Sequence, residues 1–105
     1  EIPCNKVYED DFAFAFHDIN PQAPVHTLVI PKGEYVNMAE FSAEASNEFL
    51  TGFFRAVGET ARVLELDEDG YRLIANTGKN AHQDVPHLHF HILGGKPLGP
   101  MLSNF

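Results

Sequence analysis

Cysteine occurs once in the 105 residues, at Cys4, and tryptophan does not occur. One cysteine excludes an intrachain disulfide, and the chain has no CxxC pair to suggest a thiolate zinc site. Such usage suits a reducing, cytoplasmic compartment. Cys4 itself reads as a small hydrophobe near a strand start. Basic residues are also scarce. Seven Lys and Arg against fifteen Asp and Glu leave a formal charge of -8 with histidines neutral. That balance lacks the basic footprint of a nucleic-acid or anionic-membrane binder, so neither partner is expected. No apolar run reaches the roughly eighteen residues that would span a bilayer, and the sequence contains no signal-peptide pattern. The chain opens on Glu1 rather than methionine, so an N-terminal piece is expected to precede it. The remaining composition, 44% hydrophobic and 21% charged, is that of one globular domain over residues 1–105 with a modest core.

Histidine is where the composition departs from the ordinary. Three of the six histidines stand in HLHFHILGG, residues 87–95. Strand side chains alternate between two faces. His87, His89 and His91 therefore share one face, and Leu88, Phe90 and Ile92 the other.

The rest of the chain supplies strands, one helical stretch and turns. FAFAF alternates with period two and reads as a strand, with Phe12, Phe14 and Phe16 as core. Val7–Tyr8 before it makes a short hairpin strand across the polar turn Glu9–Asp11. DINPQAP, residues 18–24, is turn chemistry, because each residue before a proline is steered away from helix. VHTLVIP, residues 25–31, is β-branched and puts His26, Leu28 and Ile30 on one face. From Ser42, apolar residues recur at three and four, predicting one amphipathic helix over 42–66 with Ser42 as N-cap and Glu44 in its first turn. The acidic turn DEDG ends it. YRLIAN, residues 71–76, and PHLHFHIL, residues 86–93, read as an antiparallel pair whose nine-residue loop 77–85 lies beside the histidine face. Strands, a long helix and further strands make an α+β fold.

Three readings of the histidine run compete. A half-exposed strand could simply show imidazoles to water, but six histidines with three in register argue against it. Histidines at alternate strand positions could ligate zinc, with His26 or His82 completing the set. An imidazole could instead attack phosphorus and form a covalent intermediate.

HLHFHIL also fits the pattern His-φ-His-φ-His-φ-φ, with φ apolar, that names the histidine triad (HIT) family. FHDINPQAPVHTLVIPK resembles the family's first block. IANTG, Gln83, the triad, Gly94-Gly95 and PLGPM resemble its second half. The chain as a whole resembles the nucleotide-binding branch of the family. That resemblance implies a five-stranded antiparallel sheet with one long helix, and a homodimer across which the sheet extends. It implies a purine nucleotide-binding hydrolase, needing no metal or other cofactor. Nucleoside 5′-phosphoramidates and acyl-nucleotide adducts would be cleaved to a nucleoside monophosphate through a nucleotidyl-histidine. By position, His89 would be the nucleophile, with His87 and His91 completing the triad and His91 facing the phosphate. His26 would assist protonation of the leaving group. Asp18 would grip the ribose, although Asp-Ile-Asn-Pro is also good turn chemistry. Ile19 and Leu28 would line the base pocket, Asn76 would lie near the phosphate, and Gln83 would belong to the nucleotide site. Asp84 stands where many members have a hydroxyl, which puts leaving-group preference in question. His17 and His82 match no role and read as surface histidines. A dinucleoside polyphosphate hydrolase and a non-catalytic nucleotide-binding regulator are the alternatives.

Overall fold

The alternation in FAFAF becomes a two-faced strand, but with its small face inward. The computed structural model of the protein describes residues 5–102, so the reading of Cys4 lies outside the described residues. Along β2 (Ala13–His17), Ala13 and Ala15 are fully buried while Phe14 and Phe16 are half-buried on the opposite face. This corrects the aromatic face as core. A helix must close on the sheet, and methyl groups let it approach where rings would hold it off. Phe12, just before the strand, does join the core side, packing edge-on to Phe49 at 5.6 Å.

The five strands form one antiparallel sheet, as the family resemblance implied, in the order β1-β2-β3-β5-β4. β1 is Lys6–Glu9, β3 is Val25–Pro31, β4 is Tyr71–Ala75 and β5 is Phe90–Gly94. In the β1–β2 turn, Asp10 Oδ1 accepts from the backbone N–H groups of Phe12 and Ala13 at 2.8 and 3.0 Å.

The helix expected over 42–66 is two helices, α1 (Met38–Glu44) and α2 (Asn47–Val63). Ser42 is not a cap. It lies inside α1, where its hydroxyl donates back to the Ala39 carbonyl at 3.3 Å. Glu44 ends α1 rather than starting a helix. The caps are Asn37, accepting from the Glu40 N–H at 3.0 Å, and Ser46, accepting from the Phe49 N–H at 3.0 Å. Ala45 turns extended between them, so the chain starts a new helix where a second capping side chain is on offer. No helix among the described residues is long and apolar enough to cross a membrane.

α1 and α2 cover one sheet face with Phe41, Phe53, Ala56 and Val57, against Ala13, Ala15, Val29, Leu88, Phe90 and Ile92. The other face carries Phe16, Leu28 and His91 in one row, since Phe16 pairs with Leu28 and Leu28 with His91 across the sheet. That uncovered face is where the histidines stand.

Gly52 of α2 faces the ring of Phe12, and a methyl group there would overlap it. Alanine would gain about 1 kcal/mol of helix propensity, but overpacking costs about 1–3 kcal/mol. Gly52→Ala is therefore expected to lower the urea-unfolding free energy by about 1 kcal/mol. An unchanged or higher value would mean that Phe12 turns aside at no cost.

Candidate active site

Leu88 anchors the histidine run. It is fully buried, and its N–H donates to the Tyr35 carbonyl at 2.7 Å. Regular pairing begins only at Phe90, opposite Ala75. His87 and His89 thus lie on the extended approach to β5 rather than inside an 86–93 strand. The alternation survives without the ladder: Leu88, Phe90 and Ile92 point into the core, and the histidines point away.

Hydrogen-bond partners assign the tautomers. His89 Nδ1 lies 2.9 Å from the His87 carbonyl, so Nδ1 carries a proton, and the lone pair of the uncharged tautomer is at Nε2. His87 Nδ1 lies 3.1 Å from the Leu88 carbonyl and donates likewise. His26 is set the other way. The Gln22 N–H donates to its Nδ1 at 3.0 Å, which puts the proton on Nε2. That Nε2–H donates to His91 Nδ1 at 2.9 Å. His91 is then protonated at Nε2, the nitrogen left free to meet a ligand. Backbone amide, His26 and His91 form one directed chain of donors.

Asp18 sits at the inner end of that chain. Its N–H donates to the His26 carbonyl at 2.8 Å. Its Oδ1 accepts from the Asn20 N–H at 2.8 Å, as the turn reading predicted. Its Oδ2 lies 3.4 Å from His26 Nε2. Burial pushes His91 down to about 4, helped by repulsion from His89 and His26 and opposed by Asp18. Burial also lowers His26, again against Asp18. Both imidazoles are therefore neutral at pH 7.

Asp18, His26 and His91 bring donor atoms within 4.8 Å of one another, and their types suit zinc. The hydrogen bonds oppose that use. His26 Nε2 carries the proton fixed by Gln22, and His91 Nδ1 spends its lone pair on it. The set fits a hydrogen-bonded pair better than a metal.

Two cavities meet at His89. An apolar recess of about 310 Å³ is lined by Phe16, Leu28, Ile30, Val85, His87 and His89. A more polar one of about 230 Å³ is lined by Asn76, His82, Gln83, Asp84, Val85, His89 and His91. Loop 77–85 thus lies beside the histidines, as expected. Gln83 builds that loop: its side chain accepts from the Gly78 N–H at 3.0 Å and donates to the Val36 and Val85 carbonyls at 2.6 and 3.1 Å. Leu28 is brought to the recess, whereas Ile19 stands 85% exposed outside its walls. Sequence reasoning missed Phe16, Ile30 and Val85 as recess walls. Ile30 was visible as a same-face neighbour of Leu28. It also left out His82, which lines the polar cavity, while His17 stays exposed with Nδ1 3.3 Å from Thr27 Oγ1.

The HIT domain family model matches residues 1–98. A HIT-like protein of Azospirillum brasilense is 58% identical over 103 residues, covering 98% of this chain and 84% of the relative. The purine nucleoside phosphoramidase of Escherichia coli is 47% identical over 107 residues, covering 99% and 87%. The crystal structure of a histidine triad protein from Clostridium difficile superposes with a TM-score of 0.82 at 38% identity, covering 94% of this chain and 85% of that one.

An unfolded histidine titrates near 6.5, and His91 in the fold near 4. Between those values the unfolded chain binds more protons at this position, so stability falls as pH falls through that window and levels off below it. His91→Gln removes this contribution. Its urea-unfolding free energy is expected to drop less than the parent's between pH 6.5 and 4. Parallel curves for the two proteins would show that His91 is not desolvated.

Proposed function

We propose a phosphoramidate hydrolase, from the premise that the chain belongs to the HIT domain family. The observation that carries the reading is the 2.9 Å bond from His89 Nδ1–H to the His87 carbonyl. With Nδ1 as the donor, the uncharged form of the ring has its one lone pair at Nε2, on the wall between the two cavities. Such a nitrogen is a nucleophile for phosphorus. The substrate is a purine nucleoside 5′-phosphoramidate or acyl-nucleotide adduct, as the name of the Escherichia coli relative suggests. The apolar recess takes the base between Phe16, Leu28 and Ile30. Asp18 accepts from the ribose hydroxyls through lone pairs not spent on Asn20, since an ionised carboxylate has about four acceptor positions.

The first displacement forms a bond from His89 Nε2 to phosphorus. The phosphorus–nitrogen bond breaks, its electron pair stays on the amine, and the amine takes a proton from solvent. In the second, water attacks phosphorus, the bond to Nε2 breaks, and the water proton returns to solvent. The sum is phosphoramidate plus water giving nucleoside monophosphate plus amine. His91 Nε2–H donates to a phosphoryl oxygen, where charge is held in the transition state. His26 acts on the reaction by orienting His91, because its own Nε2–H is directed there. Asn76 lies beside His89 and His91 as a further donor. The dinucleoside polyphosphate alternative is less well supported, because Asp84 would face a polyphosphate across the polar cavity. A homodimer belongs to the same reading. Among the described residues β4 is an edge of the sheet with Tyr71 and Leu73 exposed, and α2 leaves Phe54 and Val63 exposed, apolar surface that a second copy would cover.

The test is to mix the protein with adenosine 5′-phosphoramidate, quench within seconds and weigh its peptides. A nucleotide-sized gain on the peptide holding His89, lost in His89→Gly with a rate at least about ten-thousandfold lower, is the expected result. His87→Ala keeps the carbonyl that orients His89, so its loss should be nearer the hundredfold end of single acid–base effects, about 10²–10⁴. A folded protein that binds AMP but neither cleaves nor labels would refute hydrolysis and leave a nucleotide-binding regulator.

A further inference from the structure

The polar cavity and the apolar recess share Val85 and His89 but little else in chemistry. The recess walls are Phe16, Leu28, Ile30 and Val85 with two imidazole faces. The polar cavity adds three side chains that make no hydrogen bond to another described residue: the Asn76 amide, the His82 imidazole and the Asp84 carboxylate. Gln83 differs, because its amide is spent on the backbone. Unspent polar groups around a cavity are what a polar ligand would satisfy. At about 230 Å³ the cavity falls below the range of about 300–1,000 Å³ that takes a whole drug-sized ligand. It is sized for a fragment.

With a base in the recess and phosphorus at His89, the fragment in the polar cavity is the leaving group. Asp84 is the only carboxylate in this wall, and no lysine or arginine lines it. The -8 charge of the chain adds to the same sign. We propose that loop 77–85 is a leaving-group subsite that selects phosphoramidates whose amine carries a second, positively charged group, with the Asp84 carboxylate as its counter-charge. Asn76 and His82 take the uncharged polar atoms. A leaving group bearing a carboxylate is disfavoured by the same residue. This inference rests on the phosphoramidate reading and adds the class of amine to it.

An exposed opposite-charge contact is worth up to about fivefold, and exchanging attraction for repulsion multiplies two such factors to about twenty-five-fold. The experiment compares three adenosine 5′-phosphoramidates of matched length, made from 3-aminopropylamine, butylamine and β-alanine. AMP release gives kcat/KM for each. The parent is expected to prefer the ammonium substrate over the carboxylate one by about ten- to twenty-five-fold, with butylamine between them. Asp84→Asn is expected to bring that ratio within about threefold, and Asp84→Lys to invert the order. A parent ratio near one, or a parent preference that survives both substitutions, would overturn the assignment to Asp84. Cleavage of all three at similar rates leaves the hydrolase reading standing and this one refuted. Failure to cleave any of the three, by a folded parent, refutes the hydrolase reading and this inference with it.

Discussion

The burial of Leu88, Phe90 and Ile92 is the constraint on which the site depends. All three are at most 6% exposed, and burial of each such side chain contributes about 1.5–3 kcal/mol. Because consecutive side chains in an extended run must alternate, fixing these three inward fixes three imidazoles outward. A one-residue slip would bury the histidines and expose the apolar set, so register is held far more firmly than any histidine contact could hold it. The imidazoles then need only local partners to set their nitrogens. Two of those partners are backbone carbonyls on the run itself, from His87 and Leu88. The core thus orients the His89 ring through the main chain.

The second set of partners comes from across the sheet. β3 pairs with β5 so that His26 stands opposite Leu93 and Leu28 opposite His91. His26 reaches diagonally to His91 with ring centroids 5.1 Å apart. The turn before β3 closes over His26, leaving it 5% exposed, and supplies the Gln22 N–H that decides its tautomer. An acidic chain that takes an anionic ligand must rely on such aimed N–H groups, because its net field opposes the ligand. Neutral imidazoles serve that end. They donate one hydrogen bond each and, unlike imidazolium neighbours, do not repel one another.

How much of this was legible from the sequence depended on whether the signal was local. Strand alternation is local, and the four later strands and the two faces of HLHFHIL follow from it. The triad and the upstream His26 were legible as a pattern, and the sheet does bring them together. The helix break was not legible, because Phe49, Phe53, Ala56 and Val57 keep helical spacing from Ser42 onward while the interruption is only two extended residues, Ala45 and Ser46. Ser42 was read as the cap, whereas the fold uses Ser46, four residues on. Phe16 was misplaced for a different reason. Aromatic bulk usually signals core, but here the covering helix needed the space that Ala13 and Ala15 leave, so the rings went to the site face. Gln83 could be tied to the site by resemblance only; its work on three backbone groups depends on loop closure, which no local pattern encodes.

Apart from the shared Val85 and His89, the two cavities are built from different parts of the chain, and this bears on how specificity can change. Phe16, Leu28 and Ile30 belong to β2 and β3, whose opposite faces carry Ala15, Thr27 and Val29 at the centre of the core. A change of size there disturbs packing that is already dense. His82, Gln83 and Asp84 belong to a loop outside the buried core, whose shape is held by Gln83 and by Gly78, which sits at φ +79°. Substitution at position 84 alters charge in the cavity that His89 and His91 also line, with little packing at stake. In the proposed reading the base site is therefore tied to the stability of the fold and the leaving-group site is not. His89 stands on the boundary, fixed by the core, so either side can be recognised without moving the atom that reacts.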